Sequence, residues 1–196
     1  MIDPLLPLGD GHTLLSEDDR QCLKLRYITN RGELNEAEQA NILRAVGRAR
    51  PPSLQALLDD LYLRRLHKRM FGDVWRWAGE YRRVETNIGI DPNQIAVATR
   101  NLVGDTKAWI DGAMDDPDVM AARFHHRLVS IHPFPNGNGR HGRVAAGYLI
   151  VGLKRPNFTW GANSGLETEQ VRAEYIAALH EADGDDVARL TAFARS

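Results

Sequence analysis

Residues 132–143 have the sequence HPFPNGNGRHGR. This stretch is the most informative part of the chain for both its fold and a ligand-binding site. The two prolines keep the backbone extended after a preceding helix. Gly137 and Gly139 can adopt positive φ and let the backbone approach a ligand closely. Helical spacing resumes at about Arg140. The stretch therefore predicts a loop that ends at the N-terminus of a helix.

A loop of this kind is a candidate phosphate site. The first N–H groups of a helix have no partner within the helix and lie at the positive end of its dipole. Arg140 and Arg143 are three residues apart, so they share one face and can bind phosphate oxygens. His132, at the other end of the loop, can accept a proton near neutral pH. The pattern predicts a site for phosphoryl or nucleotidyl transfer.

The rest of the chain predicts an all-α domain of about seven helices with one small β-hairpin. Trp75, Trp77 and Trp109 are predicted to be core residues. The hairpin is expected between residues 75 and 97, around a turn rich in Gly, Asp, Pro and Asn. Apolar stripes at helical spacing and capping residues predict helices over approximately 16–25, 33–48, 54–71, 94–113, 116–130, 140–153, 168–182 and 185–194.

Composition excludes several classes of protein. The chain has 196 residues, 43% of them hydrophobic, which is enough for a sizeable core. The 25 basic and 26 acidic residues give a net charge of -1, so direct nucleic-acid binding is not expected. Cys22, the single cysteine, excludes a disulfide framework and a zinc site built from cysteines. No membrane span or secretion signal is recognisable, and a cytoplasmic protein is expected.

The loop resembles the signature of the Fic family, His-x-Phe-x-(Asp/Glu)-Gly-Asn-Gly-Arg-x-x-Arg. Seven of the eight specified positions match: His132, Phe134, Gly137, Asn138, Gly139, Arg140 and Arg143. The segment FGDVWRWAG at residues 71–79 is also similar to the family, and the wording of both segments is closest to the branch called mobile mystery protein B. The resemblance implies a Fic domain over residues 33–196, after a lead-in and a short helix in residues 1–32.

The resemblance implies a protein adenylyltransferase, which moves AMP from ATP to a Ser, Thr or Tyr hydroxyl of a target protein. By this analogy His132 takes the proton of that hydroxyl, and Phe134 anchors the loop from inside. The other motif residues would hold the triphosphate: Gly137, Asn138 and Gly139 at the α- and β-phosphates, Arg140 at the β/γ end and Arg143 at the γ-phosphate.

The family also implies a flap for the target protein on the predicted hairpin. It would span about residues 86–94 and present a strand edge to the backbone of the target, which aligns a target without reading much of its sequence. Its central residues are Thr86, Asn87, Ile88, Gly89 and Ile90.

Asn136 is the position at which the chain departs from the family. An Asp or Glu is usual there and binds the Mg²⁺ that bridges the phosphates, whereas an amide oxygen ligates a hard cation without supplying charge. Three interpretations follow: an enzyme whose Mg²⁺ is held by Asn136 weakly and mainly by the nucleotide, a slow enzyme, or a protein that binds nucleotide without catalysis. The retention of His132 and of both motif arginines favours chemistry.

The regulation implied by the resemblance is also altered. Many family members carry an inhibitory glutamate in the pattern (Ser/Thr)-x-x-x-Glu-(Gly/Asn), and no glutamate of this chain is followed by Gly or Asn. Thr29 and Glu33 come nearest, but Leu34 follows them. Two forms of control are left open: a separate antitoxin, with this chain as the toxin of the pair, or an activity that is tempered by Asn136. The resemblance to mobile mystery protein B implies an accompanying helix-turn-helix partner. The alternatives are an inactive nucleotide-binding module and a relative with different phosphotransfer chemistry.

Overall fold

The computed structural model describes residues 17–47, 50–113 and 115–196, and the predicted cap at Ser16 lies outside them. These ranges contain nine α-helices and one short 3₁₀ helix, Pro92–Gln94. The α-helices are α1 Glu17–Gln21, α2 Arg31–Gly47, α3 Leu54–Leu57, α4 Asp60–Phe71, α5 Ile95–Asp111, α6 Pro117–Ile131, α7 Asn138–Gly152, α8 Thr168–Ala182 and α9 Ala188–Arg195. The prediction of an all-α fold is confirmed.

Two helices differ from their predicted bounds. The first was expected to reach about residue 25, but α1 ends at Gln21, because residues 22–24 form an isolated antiparallel bridge with residues 74–76. The helix predicted over 54–71 is divided into α3 and α4. Asp59 accepts a hydrogen bond from Leu61 N at 2.8 Å and restarts the helix. Leu57 and Leu58, at the break, are both buried.

The predicted β-hairpin is wrong. Among the described residues, 80–91 form no strand. Their hydrogen bonds go to the segment after α6: Arg82 N donates to Pro133 O at 2.9 Å. The Arg82 guanidinium donates to Val84 O at 3.0 Å and to Ile90 O, so the segment is held by a side chain instead of a ladder. Flap refers below to residues 84–91, defined by position and not by strand structure.

The core places α7 at the centre of the molecule. The most extensive helix contact joins α6 and α7, and α4 and α3 also pack against α7. Trp75 and Trp77 are buried in the main core, as predicted. A second cluster of apolar residues joins α8 and α9 to Ala122 of α6. The loop of residues 132–137, between the two central helices, is consequently supported on several sides.

No helix in the described ranges is long and apolar enough to cross a membrane.

Candidate active site

The loop joins α6 to α7 through two residues in the left-handed region. His132 ends α6 with φ 53° and ψ 59°, and Gly137 precedes α7 with φ 80°. A Cβ at Gly137 would lie 2.4 Å from the Phe71 ring, so glycine is required there for space as well as for conformation. No side chain caps α7. The first N–H groups of this helix are therefore available to a ligand.

Asn138 holds the loop closed with its side chain. Its Oδ1 accepts from Phe134 N at 2.9 Å, and its Nδ2 donates to Phe134 O at 2.7 Å. The side chain is almost fully buried. Both amide atoms are thus engaged within the loop, and the group that Asn138 leaves for a phosphate is its backbone N–H.

Phe134 is fully buried and fixes the loop from inside. Its ring stacks on His67 with centroids 3.7 Å apart. His67 Nδ1 accepts from Gly79 N at 3.0 Å, so its Nε2 carries the proton and donates to Asn136 O at 3.0 Å. His67, which the sequence did not single out, is the residue of α4 that ties the loop to the core.

His132 is a buried base. Its side chain is almost fully enclosed, and its carbonyl oxygen accepts from Arg82 Nε at 2.7 Å. Burial, and then the nearby positive charge of Arg82, lower the pKa of His132 to about 4. The imidazole is therefore neutral at physiological pH and can accept a proton.

The flap lies directly against this histidine. A Cβ at Gly89 would lie 2.5 Å from His132 Cβ. Ile90 N makes a long contact of 3.5 Å with Ile131 O. Thr86 Oγ1 donates to Ile88 O at 2.6 Å, which turns the flap back on itself, and Asn87 is exposed at the turn. The structure thus brings Gly89 of the predicted flap next to the predicted base, and Ile90 next to the residue before it.

The two motif arginines belong to a larger cluster. Arg143 lies with its guanidinium 5.2 Å from the centre of the Tyr175 ring. Burial lowers the pKa of Arg143, and the charges of Arg140 and Arg172 lower it further. Burial also lowers the pKa of Arg31, and the charges of Arg140 and Arg172 lower that pKa further. Arg31 and Arg172 bring α2 and α8 to the site and were missed in the sequence, where nothing marks them as close.

Glu38 is the carboxylate at the centre of this cluster, and it is fully buried. Its Oε1 accepts from Trp75 Nε1 at 2.6 Å and from Asn136 Nδ2 at 3.0 Å. Its Oε2 accepts from Arg140 Nη2 at 2.5 Å. The sequence contained a signal for it, because Glu38 lies four residues from both Leu34 and Ile42, within an apolar stripe of α2.

The other histidines near the loop are occupied in packing. His125 Nε2 bonds to the Tyr175 hydroxyl at 3.0 Å, and burial lowers its pKa to about 3. His141 Nε2 lies 2.9 Å from Leu63 O, and burial lowers its pKa to about 4. Within the described ranges, no group of three or more His, Cys, Asp or Glu residues could hold a metal ion.

A groove of about 600 Å³ lies at the two ends of the flap. It is lined by Arg64, Glu80, Tyr81, Arg82, Arg83, Pro92 and Asn93. Arg64 is shared with a second groove of about 310 Å³ on α4. The basic residues of α4 therefore border open grooves beside the flap.

The comparison with known families agrees with the geometry of the loop. A model of the Fic/DOC family matches residues 57–150, which include the whole loop and the segment FGDVWRWAG. Residues 57–150 of this chain belong to the Fic/DOC family. The narrower resemblance to mobile mystery protein B stays a prediction.

Similar proteins include chains named protein adenylyltransferase or probable protein adenylyltransferase. A probable protein adenylyltransferase of Sinorhizobium fredii is 32% identical over 124 residues, which cover 59% of this chain and 65% of that protein. Protein adenylyltransferase fic-1 of Caenorhabditis elegans is 27% identical over 138 residues, 66% of this chain and 25% of that protein. The chain thus spans about a quarter of the length of this animal relative.

A solved structure shows the same fold. The BepC protein of Bartonella tribocorum, with bound AMPPNP, has a TM-score of 0.67 and 18% sequence identity, and the match covers 92% of this chain and 97% of that one. At this identity the likeness concerns the Fic/DOC fold.

Proposed function

We propose that this protein is a protein adenylyltransferase that transfers AMP from ATP to a Ser, Thr or Tyr hydroxyl of a target protein. The observation that carries the proposal is a neutral, buried His132 beside an uncapped helix N-terminus and four arginines: Arg31, Arg140, Arg143 and Arg172. One carboxylate, Glu38, accompanies the four arginines, so an excess of positive charge remains. A triphosphate supplies several negative charges that would balance it. The naming of distant relatives as protein adenylyltransferases supports the same activity.

In the proposed reaction the target hydroxyl oxygen attacks the α-phosphorus of ATP. A bond forms between that oxygen and phosphorus, the bond from the α-phosphorus to the bridging oxygen of the β-phosphate breaks, and pyrophosphate leaves. His132 accepts the hydroxyl proton as the oxygen attacks. The backbone N–H groups of Gly137, Asn138 and Gly139 and the motif arginines hold the phosphates and the negative charge that develops on the leaving group.

The residues at the loop fit a divalent cation held jointly with a nucleotide. Mg²⁺ is commonly bound through one or two carboxylates together with substrate phosphates. Glu38 offers a carboxylate oxygen and Asn136 an amide oxygen at adjacent positions of the site. When bound, Mg²⁺ would neutralise charge on the phosphates and so assist their displacement.

The flap is the proposed docking segment for the target. Gly89 of the flap lies against His132, so a target backbone that pairs with the flap would be held near the proposed base. The groove beside it, with Arg64 and Arg83 on its lining, would receive side chains that flank the modified hydroxyl.

Domain bounds, regulation and cellular location are proposed together with the activity. The Fic domain is taken as residues 33–196, although α2 begins at Arg31 and runs across this limit. The familiar inhibitory pattern has no match in the sequence, so a separate antitoxin or helix-turn-helix protein is proposed as regulator, and a toxin role and a cytoplasmic location are proposed with it.

A nucleotide-binding module without transferase activity is the second candidate. Two observations favour it: the amide at Asn136, and the ion pair that occupies Arg140 with Glu38. Such a module would bind ATP and leave no covalent AMP on any protein.

Incubation with ATP labelled on the α-phosphate, in the presence of Mg²⁺ or Mn²⁺, separates the two candidates. Transfer predicts labelled protein and a mass increase of one AMP on the target or on the protein itself. His132→Ala should reduce transfer by about 10²–10⁴-fold and preserve ATP binding, whereas His180→Ala, at an exposed position of α8, should match the wild type. Nucleotide binding with no label in any target mixture would contradict the transferase proposal.

A further inference from the structure

Glu38 is held in one orientation by three donors from different parts of the chain. Trp75 Nε1 and Asn136 Nδ2 both donate to Oε1, while Arg140 binds Oε2. A carboxylate only accepts hydrogen bonds, so the NH₂ group of Asn136 must face it. Asn136 therefore positions Glu38. An aspartate in its place would put a second negative charge about 3.0 Å away.

Arg140 is the cation that balances this buried charge. The two side chains form an ion pair in which Glu38 is fully buried and Arg140 is partly exposed. This step rests on the proposed function: when a triphosphate binds, Arg140 is drawn toward its oxygens. Arg31 still attracts Glu38 through space, but Oε2 of this buried carboxylate would lose its bonded cation, which is strongly unfavourable. The site therefore needs a second positive charge next to Oε2 whenever nucleotide is bound.

We propose that Glu38 is the carboxylate ligand of the divalent cation that binds with the nucleotide. Trp75 and Asn136 hold Oε1, and Oε2 ligates the cation in the place that Arg140 occupies without nucleotide. The carboxylate that the motif lacks at position 136 is supplied from α2, and Asn136 acts through Glu38 as a positioning residue.

Mn²⁺ binding, followed by the electron paramagnetic resonance signal of free Mn²⁺ in the presence of AMPPNP, tests this assignment. Glu38→Gln keeps the shape of the side chain and removes its charge. It should weaken Mn²⁺ binding to the nucleotide complex by at least about 10- to 100-fold, which is the loss seen when only a group that orients a metal ligand is removed. Glu36→Gln, at an exposed position two residues away on α2, should leave Mn²⁺ affinity unchanged.

The double variant Glu38→Gln/Asn136→Asp returns a carboxylate to the loop. It should recover most of the lost Mn²⁺ affinity, because the negative charge moves only from residue 38 to its hydrogen-bond partner at position 136. It also restores an anion near Arg140, so it serves as the folded test if Glu38→Gln alone lowers the melting temperature. If Glu38→Gln folds, the assignment is overturned when the double variant binds Mn²⁺ no more tightly than Glu38→Gln. If Glu38→Gln does not fold, the assignment is overturned when the folded double variant binds no Mn²⁺.

The binding of fluorescent AMPPNP without metal distinguishes this inference from the proposed function. If Glu38→Gln tightens nucleotide binding and leaves Mn²⁺ affinity unchanged, Glu38 only competes with phosphate for Arg140, and the inference alone is wrong. If the wild type binds no nucleotide with or without Mn²⁺, the proposed function is wrong and the inference falls with it.

Discussion

The loop and the flap, which meet at His132, differ in how they are held: the loop by buried contacts and the flap mainly by one side chain. The loop is held by buried contacts on all sides: Phe134 inside, the Asn138 clamp, and His67 bonded to Asn136. The flap is mostly exposed and forms no strand within the described residues. Its attachment depends largely on one side chain, Arg82. The difference suits the proposed reaction, which needs a fixed nucleotide and an adaptable target.

Acid should destabilise the loop and the helices packed around it, where four histidines are buried. Folded-state pKa values of about 4 for His132 and His141 and about 3 for His125 lie below the ordinary 6.5, as does that of His67. The unfolded chain then binds more protons, so stability is complete above pH 6.5 and falls as the pH drops toward 4. Each histidine contributes about 1.4 kcal/mol per pH unit within its window.

Urea unfolding at a series of pH values measures this loss. His141→Gln, which retains a donor for Leu63 O but does not titrate, should flatten the dependence. A free energy of unfolding that stays constant down to the folded-state pKa values would mean that these histidines are accessible to protons in the folded protein.

Arg82→Ala should release the flap and leave the loop largely folded. The guanidinium bonds to carbonyls of both regions, and charged hydrogen bonds of this kind contribute about 1.5–3 kcal/mol each. Hydrogen exchange over residues 84–91 should accelerate more than exchange over α7. Arg83→Ala, at the exposed neighbour, is the control. Equal acceleration in both regions would show that flap and loop unfold as one unit.

Gly137→Ala should destabilise the protein more than Gly165→Ala. Both glycines have positive φ, 80° and 71°, so both variants carry the same conformational cost of about 1–2 kcal/mol. Only at Gly137 does the new methyl group meet a ring, that of Phe71, at 2.4 Å. Overpacking adds about 1–3 kcal/mol there. Equal losses in thermal or urea unfolding would mean that Phe71 moves aside freely and that the loop is less rigid than its contacts imply.

Arg143→Ala should produce the smallest change, and one confined to the nucleotide. Loss of a charged contact should weaken ATP binding by about 1.5–3 kcal/mol and leave AMP binding nearly unchanged. Arg65→Ala, at an exposed position of α4, provides the comparison in the same calorimetric titration. A similar loss for AMP would move Arg143 away from the γ-phosphate.

The sequence predicted local features well and long-range contacts poorly. The loop before α7, the cap at Asp116 and the helix 168–182 follow from neighbouring residues, and the structure contains all three. The hairpin was wrong because Arg82 satisfies flap carbonyls through its side chain. Glu38 was missed because its partners Trp75 and Arg140 are 37 and 102 positions away in the chain.

The same limit altered the expectation for Asn136. From the sequence alone, Asn136→Asp would add a metal ligand without strain, since the two side chains are nearly isosteric. The structure places the Glu38 carboxylate 3.0 Å from this position, so the added charge would meet a like charge. The effect of a substitution in the motif therefore depends on a helix that the motif does not include.

The contact between Glu38 and the loop also bears on how such a protein can change during evolution. Glu38 accepts hydrogen bonds from both Asn136 and Arg140, so the charges at these three positions depend on one another. A substitution at any one alters what the other two tolerate, so related chains should carry these residues in matched combinations, with an acid at the first position paired with an amide at the second. A loop transplanted without α2 would lose that match, and the smallest transferable unit is the motif together with its distant helix.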